Sequence, residues 1–279
     1  MTSELKPYIP DLERIAENSK NPEPVIVTKE EFEEVMAQPE IYGLYRGADM
    51  SDEEILRAME LGWIKIGAPD GGFNIIDQIQ PASVDLRLGQ NFWHYGQNAI
   101  SRLTIGEHLA PLRDLELLHY TYKIPGEEFV FFPSTIVLAT TQEWVSLSNA
   151  LHGKFDGRSL AARLGLSSHQ TAGHFEPGFV GAIMMEISNV NILHIGLRAN
   201  ERIGSMTFSM FGSPSTRPRT HKLDRNVVQE QVSPFGFWDP GWDEVKRKRI
   251  EELSREATKG FLNSFSQEER YNRIYRAFE

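Results

Sequence analysis

Apolar residues along this chain follow three successive rhythms. Near the start, Thr28-Lys-Glu-Glu31 and Ser51-Asp-Glu-Glu54 each place a hydroxyl three residues before a glutamate. That spacing lets the side chains at both ends of the first turn satisfy backbone N–H groups, so each predicts a helix start. After the second, Ile55, Leu56, Met59 and Leu61 fall at helical spacing, and Gly62 ends the run. From Ile64 to about Phe211 the rhythm shortens to β-branched and aromatic stretches parted by Gly, Pro and Asn. Ser83-Val-Asp-Leu-Arg-Leu88 alternates with period two, and Glu128 to Thr140, Val180 to Ile187 and Ile203 to Phe211 are further strand candidates. Many short strands with turn signals predict a mainly β sandwich or barrel. From Asp239 helical spacing returns through Val245, Ile250, Leu253, Ala257 and Phe261, with Phe265, Tyr271, Ile274 and Tyr275 beyond.

The pattern divides the chain into an N-terminal extension at 1–49, a β domain at 50–215, and a tail with a helical appendage at 216–279. Pro7, Pro10, Pro22 and Pro24 interrupt the acidic leader, which reads as an extension rather than as core. The C-terminal helices are expected to pack on the barrel or on a neighbouring subunit. No internal repeat or low-complexity tract is visible.

Charge narrows the partners. A formal net charge of −10 over 279 residues opposes nucleic-acid binding, which needs a basic footprint. A few arginines can still form a local anion site. No apolar run approaches the roughly 18 residues of a membrane span, and the first residues lack a signal-peptide pattern, so a cytoplasmic chain is expected. With no cysteine, disulfides, cysteine nucleophiles and cysteine-based zinc sites are excluded. His174-Phe175-Glu176 spells the H-x-E of zinc deaminases, but the cysteine pair that completes such a site is missing.

Candidate chemistry is densest between Phe155 and Asn189. Gly157, Arg158 and Ser159 offer backbone N–H groups, a guanidinium fork and a hydroxyl together, which suits a phosphate or a polarised water. Arg163 follows Arg158 by five residues, so one helical turn would aim the two differently. Solvated arginines on a turn are the plainer alternative. Glu186 stands in Ala182-Ile-Met-Met-Glu-Ile187, otherwise a buried strand. A carboxylate there either finds a partner or is driven towards its neutral form, and the second suits a proton shuttle. Glu176-Pro-Gly-Phe179 reads as a turn.

These residues resemble the dCTP deaminase family of the dUTPase-like superfamily. Met50 to Ile66 is similar to its opening helix, Gln80-Pro-Ala-Ser-Val-Asp-Leu-Arg-Leu-Gly89 to its first barrel motif, and Gly157-Arg-Ser through Asn189 to its active-site core, all in the family's order. The resemblance implies a distorted dUTPase-like β-barrel with N- and C-terminal helical extensions, assembled as a homotrimer with sites at subunit interfaces. It implies deamination of dCTP to dUTP and ammonia in pyrimidine deoxynucleotide supply, without a protein-bound metal and with Mg²⁺ carried by the nucleotide phosphates. By the same resemblance Glu186 is the proton shuttle, Ser159 and Arg163 orient the water, and Arg158 faces phosphate. Thr171 and Ala172 read the base, His169 is associated with nucleotide regulation, and Glu176 takes the place of the aspartate that contacts deoxyribose.

Three departures qualify the transfer. Leu160 stands where relatives carry a second serine and leaves only its backbone N–H. Glu176 is one methylene longer than the usual aspartate. The family's phosphate-covering C-terminal segment is not recognisable after Arg217-Pro218, where Arg219, Lys222 and Arg225 either supply charge or lie solvated. Two other readings stay open: a dUTPase or bifunctional enzyme giving dUMP and pyrophosphate, and a non-catalytic nucleotide-binding regulator.

Overall fold

The computed structural model describes residues 8–68, 72–95, 118–170 and 173–219. The predicted C-terminal helices, Lys222 and Arg225 lie outside the described residues.

Both helix starts form as the hydroxyl–glutamate spacing predicts. Helix α1 spans Leu12–Asn18, α2 Lys29–Met36, α3 Pro39–Tyr42 and α4 Asp52–Glu60. At α2, Glu31 N–H donates to Thr28 Oγ1 at 3.1 Å, and Thr28 N–H donates to Glu31 Oε2 at 2.8 Å. Ser51 N–H makes the matching bond to Glu54 Oε2 at 2.9 Å. Gly62, at φ +73°, adopts the left-handed conformation that turns the chain out of α4.

Next come β1 (Ile64–Gly67), α5 (Ile75–Gln78), β2 (Ile79–Gln80), β3 (Ser83–Tyr95), β4 (Leu118–Tyr122), β5 (Glu128–Phe131), β6 (Thr135–Leu147) and β7 (Leu151–Gly157). After the short α6 (Ser159–Arg163) follow β8 (Leu166–Ser167), β9 (His174–Phe175), β10 (Val180–Asn189), β11 (Ile195–Arg198) and β12 (Arg202–Met210). An antiparallel sheet runs β8-β10-β6-β3-β12-β7-β9, with β1 on β6 and β2 and β4 on β3. It curls into a mainly β half-barrel around Phe92, Phe155, Phe179, Ile183, Met185, Ile187 and Phe208. Strands β5 and β11 pair separately.

The expected strand from Glu128 to Thr140 is two strands. Pro133 cannot donate to a ladder, and Ser134 takes φ 57°, so the chain turns between β5 and β6.

The leader does more than extend the chain. Ile15, Val27, Phe32, Val35, Met36 and Leu44 are buried in the same apolar cluster as the barrel strands. Phe32 stacks on Trp63 with centroids 6.0 Å apart. Polar clamps fasten the segment: Asn149 Nδ2 donates to Val27 O at 3.1 Å, Val27 N–H donates to Asn149 Oδ1 at 2.7 Å, and Lys65 Nζ donates to Glu23 O at 2.7 Å. The apolar stripe of α2 needs cover, and the barrel provides it.

One buried ion pair ties β3 to β6. Glu143, fully buried, accepts from Arg87 Nε at 2.5 Å, from Arg87 N–H at 2.8 Å and from Gln78 Nε2 at 3.0 Å. No helix among the described residues is long and apolar enough to cross a membrane.

Candidate active site

Strand β7 ends at Gly157, where a side chain would crowd the Ser168 hydroxyl. A Cβ at this position would stand 2.5 Å from Ser168 Oγ. The 167–170 loop therefore lies directly on the turn into α6. Arg158 caps α6 in extended conformation (ψ 143°), and its N–H donates to Ile203 O at 3.2 Å. Ser159, Leu160 and Arg163 are all exposed on α6. The single turn expected between Arg158 and Arg163 is present.

Glu186 sits on the face of β10 that turns away from the core. Ile183, Met185 and Ile187 are buried, whereas Ala182, Met184 and Glu186 are partly accessible. The carboxylate is thus half-covered rather than enclosed by apolar side chains, with 31 % of its side-chain surface exposed. Strand β8 pairs Ser167 with Ser188. Two further steps of the same antiparallel register bring His169 opposite Glu186, and His169 Nδ1 lies 2.9 Å from Glu186 Oε2. The His169 ring meets Phe155 edge-on at 5.3 Å. The two atoms are within hydrogen-bond distance, and which of them donates depends on the imidazole tautomer. Among the described residues His169 Nε2 is buried without a hydrogen-bond partner. Ser167 Oγ donates to His169 O at 2.7 Å and Gln170 Nε2 to Ser188 Oγ at 2.7 Å, which fixes the loop along β10.

The structure therefore joins Glu186 to His169, which the resemblance associated with regulation. It does not join Glu186 to Ser159 or Arg163 in one chain: among the described residues no hydrogen bond or ion pair links them. The connection runs through packing, from Gly157 to Ser168 and on to the neighbouring His169. Thr171 and Ala172 lie outside the described residues.

Glu176-Pro-Gly-Phe179 is the turn its composition predicts. Phe179 N–H donates to Glu176 O at 3.1 Å, and Gly178 takes φ +78°. Arg219 is not solvated as its plainer reading had it: its side chain is mostly buried, with Nη1 3.7 Å from Glu176 Oε2, and the Arg219 backbone N–H donates to Pro177 O at 2.8 Å. His174 and Glu176 belong to no cluster of three or more potential metal ligands among the described residues.

Sequence reasoning passed over Asp85, Arg202 and Ser205. Asp85 is buried on β3, with Ser205 Oγ donating to its Oδ1 at 2.7 Å, Arg202 Nη1 3.4 Å from Oδ2, and Arg158 Nη2 3.9 Å from the same oxygen. An aspartate inside an alternating strand was the available signal.

The described residues thus present a half-barrel with a cationic serine turn packed beside a carboxylate–imidazole pair. A family model described as dCTP deaminase-like matches residues 50–211, and the chain belongs to that family. It is 36 % identical over 187 residues to a "dCTP deaminase, dUMP-forming" of Methanothermobacter thermautotrophicus, covering 67 % of this chain and 91 % of that protein. It is 38 % identical over 170 residues to a "dCTP deaminase" of Natronomonas pharaonis, covering 61 % and 84 %. Among solved structures, the 2'-deoxycytidine 5'-triphosphate deaminase of Agrobacterium tumefaciens aligns with a TM-score of 0.45 at 19 % identity, over 59 % of this chain and 48 % of that one.

Proposed function

We propose that this protein deaminates dCTP to dUTP and ammonia. The observation that carries the reading is the Glu186–His169 bond, set one residue from the Ser168 contact with the Gly157-Arg158-Ser159 turn. Water adds to C4 of cytosine while Glu186 accepts its proton and passes it to ring N3. Glu186 then takes the proton of the C4 hydroxyl and passes it to the exocyclic amine, so the C4–O bond becomes a carbonyl as the C4–N bond breaks, and dCTP and water give dUTP and ammonia. Ser159 and Arg163 orient the water and stabilise charge in the tetrahedral intermediate. Exposure of both on α6 supports a homotrimer in which a neighbouring chain's α6 faces Glu186. Arg158 and the first N–H groups of α6 take phosphate, with Leu160 contributing only its backbone. Glu176 meets the deoxyribose, and Thr171 and Ala172 the base edge. Magnesium enters as part of the substrate, on the phosphate oxygens.

A second reading carries the product on to dUMP and pyrophosphate. The name of the Methanothermobacter relative favours it, and Glu176 is the carboxylate on which it turns. A chromatographic time course with dCTP and Mg²⁺ tests both. Stoichiometric dUTP and ammonia support the first, and dUMP with pyrophosphate the second. Binding of dCTP without ammonia release overturns both in favour of a non-catalytic nucleotide-binding regulator.

A further inference from the structure

Asp85 holds two guanidiniums that spend almost none of their hydrogen-bonding capacity on it. Its side chain is 4 % exposed, and Oδ1 is taken by the Ser205 hydroxyl at 2.7 Å. The remaining oxygen faces Arg202 at 3.4 Å and Arg158 at 3.9 Å. Charge-assisted N–H···O bonds close at roughly 2.7–2.9 Å, so both contacts are long. Neither guanidinium makes another hydrogen bond among the described residues. Strand β3 offers its own contrast two residues on, where Arg87 closes on Glu143 at 2.5 Å and is almost fully buried. That pair is structural. The Asp85 cluster is different, with 34 % of the Arg202 side chain and 43 % of Arg158 still exposed. One carboxylate against two cations also leaves a surplus positive charge.

We infer that Arg202 and Arg158 form a two-armed anion fork for the phosphate chain of the nucleotide, with Asp85 as the positioning residue that holds both arms from beneath. Arg202 is then a substrate-binding residue in its own right. The backbone brings the arms together: Arg158 N–H donates to the carbonyl of Ile203, the residue after Arg202. Both side chains therefore start beside Ser159, at the beginning of α6. Guanidinium forks match phosphate oxygens bidentately, and two forks suit a chain of phosphates better than a single one. The exposed Leu160 side chain on the same turn donates nothing, so the second arm supplies donors that α6 lacks.

The inference rests on the proposed nucleotide reading, and a nucleotide-free ligand separates the two. Inorganic tripolyphosphate is titrated calorimetrically into the full chain and into the Arg202→Gln and Arg202→Lys variants, and dCTP kinetics are measured on the same preparations. Loss of a charged hydrogen-bonding arm should weaken tripolyphosphate about tenfold or more in Arg202→Gln. Lysine should recover part of that loss, since it returns the charge without the fork. In dCTP turnover the loss should fall on KM, with kcat within about twofold, as for binding shared by ground and transition states. Tripolyphosphate affinity that Arg202→Gln leaves unchanged overturns the fork, as does a fall in kcat at constant KM or failure of the unaltered chain to bind tripolyphosphate. Should Arg202→Gln fail to fold, the lysine variant decides by the same measurements: wild-type selectivity for tripolyphosphate over monophosphate supports a point charge alone and overturns the fork. Tripolyphosphate binding that depends on Arg202 in a chain releasing no ammonia keeps the fork and removes the deaminase.

Discussion

His169 Nδ1 and Glu186 Oε2 share a hydrogen bond at 2.9 Å, in register with the β8–β10 pairing. The contact takes up one carboxylate oxygen and sets the plane of the other. A glutamate alone on a half-covered strand face would sample several rotamers; the imidazole selects one of them. Phe155, packed edge-on to the ring, holds the imidazole in turn.

Glu186→Gln keeps the shape of the side chain and removes its capacity to accept a proton. Turnover of dCTP should fall by about a thousandfold or more, while dCTP binding stays within a few-fold. Ammonia release and equilibrium binding measured together check this, and near-normal turnover would remove Glu186 from the mechanism. His169→Ala, which withdraws only the support, should cost roughly ten- to a hundredfold in kcat.

Acid should weaken the fold through two histidines. Burial, then the neighbouring positive field of His174, pushes the His152 imidazole below its ordinary value, with Asp49 opposing. Burial, then His119, does the same to His94, against a backbone hydrogen bond at Tyr95. His152 Nδ1 is also buried without a hydrogen-bond partner among the described residues, so a proton placed there would lack an acceptor among them. With folded values below the unfolded value of about 6.5, the unfolded chain binds more protons in this window. Stability present above that pH is therefore lost as pH falls through about 6.5 towards the lower folded values. Melting temperatures between pH 7.5 and 5 should decline, and His152→Gln should make the decline shallower.

Helix starts were legible because their signal is local: Thr28 with Glu31 and Ser51 with Glu54 need only a three-residue reach. The alternation of β10 was also legible, but not the direction in which Glu186 points, because Met184 and Ala182 on its face are as apolar as Met185 and Ile183 behind it. Its partner lies 17 residues away along the chain, and only the β8–β10 register joins them. The same limit hid Arg219 on Glu176 and Arg202 on Asp85, where distant segments meet. The leader read as an extension rather than as core, although Phe32 and Val35 stand three residues apart and so share one face of α2.

Removing the Phe32 ring should show how firmly the leader belongs to the core. The ring is fully buried and stacked on Trp63. Phe32→Ala should lower unfolding free energy by about 3–5 kcal/mol. Urea denaturation followed by tryptophan fluorescence measures it, and a change under about 1 kcal/mol would mean that the leader is peripheral to stability.

Glu143→Gln tests the buried link between β3 and β6. The variant keeps the volume and takes the counter-charge from Arg87, whose side chain is also nearly enclosed. Breaking a buried pair from one side costs about 3–5 kcal/mol. The denaturation midpoint should shift accordingly, whereas replacement of the more exposed Glu33, partner of Arg46 at 2.5 Å, should leave it nearly unmoved.

Gly157 connects the serine turn to the carboxylate pair, and the connection can be broken and restored. An alanine methyl would stand 2.5 Å from Ser168 Oγ and 3.3 Å from Ser168 Cβ, so the Ser168 hydroxyl must turn away and the loop give by a few tenths of an ångström. Ser168 precedes His169, so displacement of the loop should pull the imidazole from Glu186 while leaving the Arg158 end of the site in position. Gly157→Ala should then lower kcat by roughly ten- to a hundredfold, the same range as loss of the His169 bond. Overpacking of this kind also costs about 1–3 kcal/mol of stability. Ser168→Ala removes the nearer of the two colliding atoms and should be close to neutral alone. Combined with Gly157→Ala it should return most of the activity, because the remaining 3.3 Å approach asks for a shift of only a few tenths of an ångström. Kinetics and melting of the four proteins in this cycle separate steric coupling from independent effects. Additive losses would mean that Gly157 acts through its own backbone and not through the loop that carries His169.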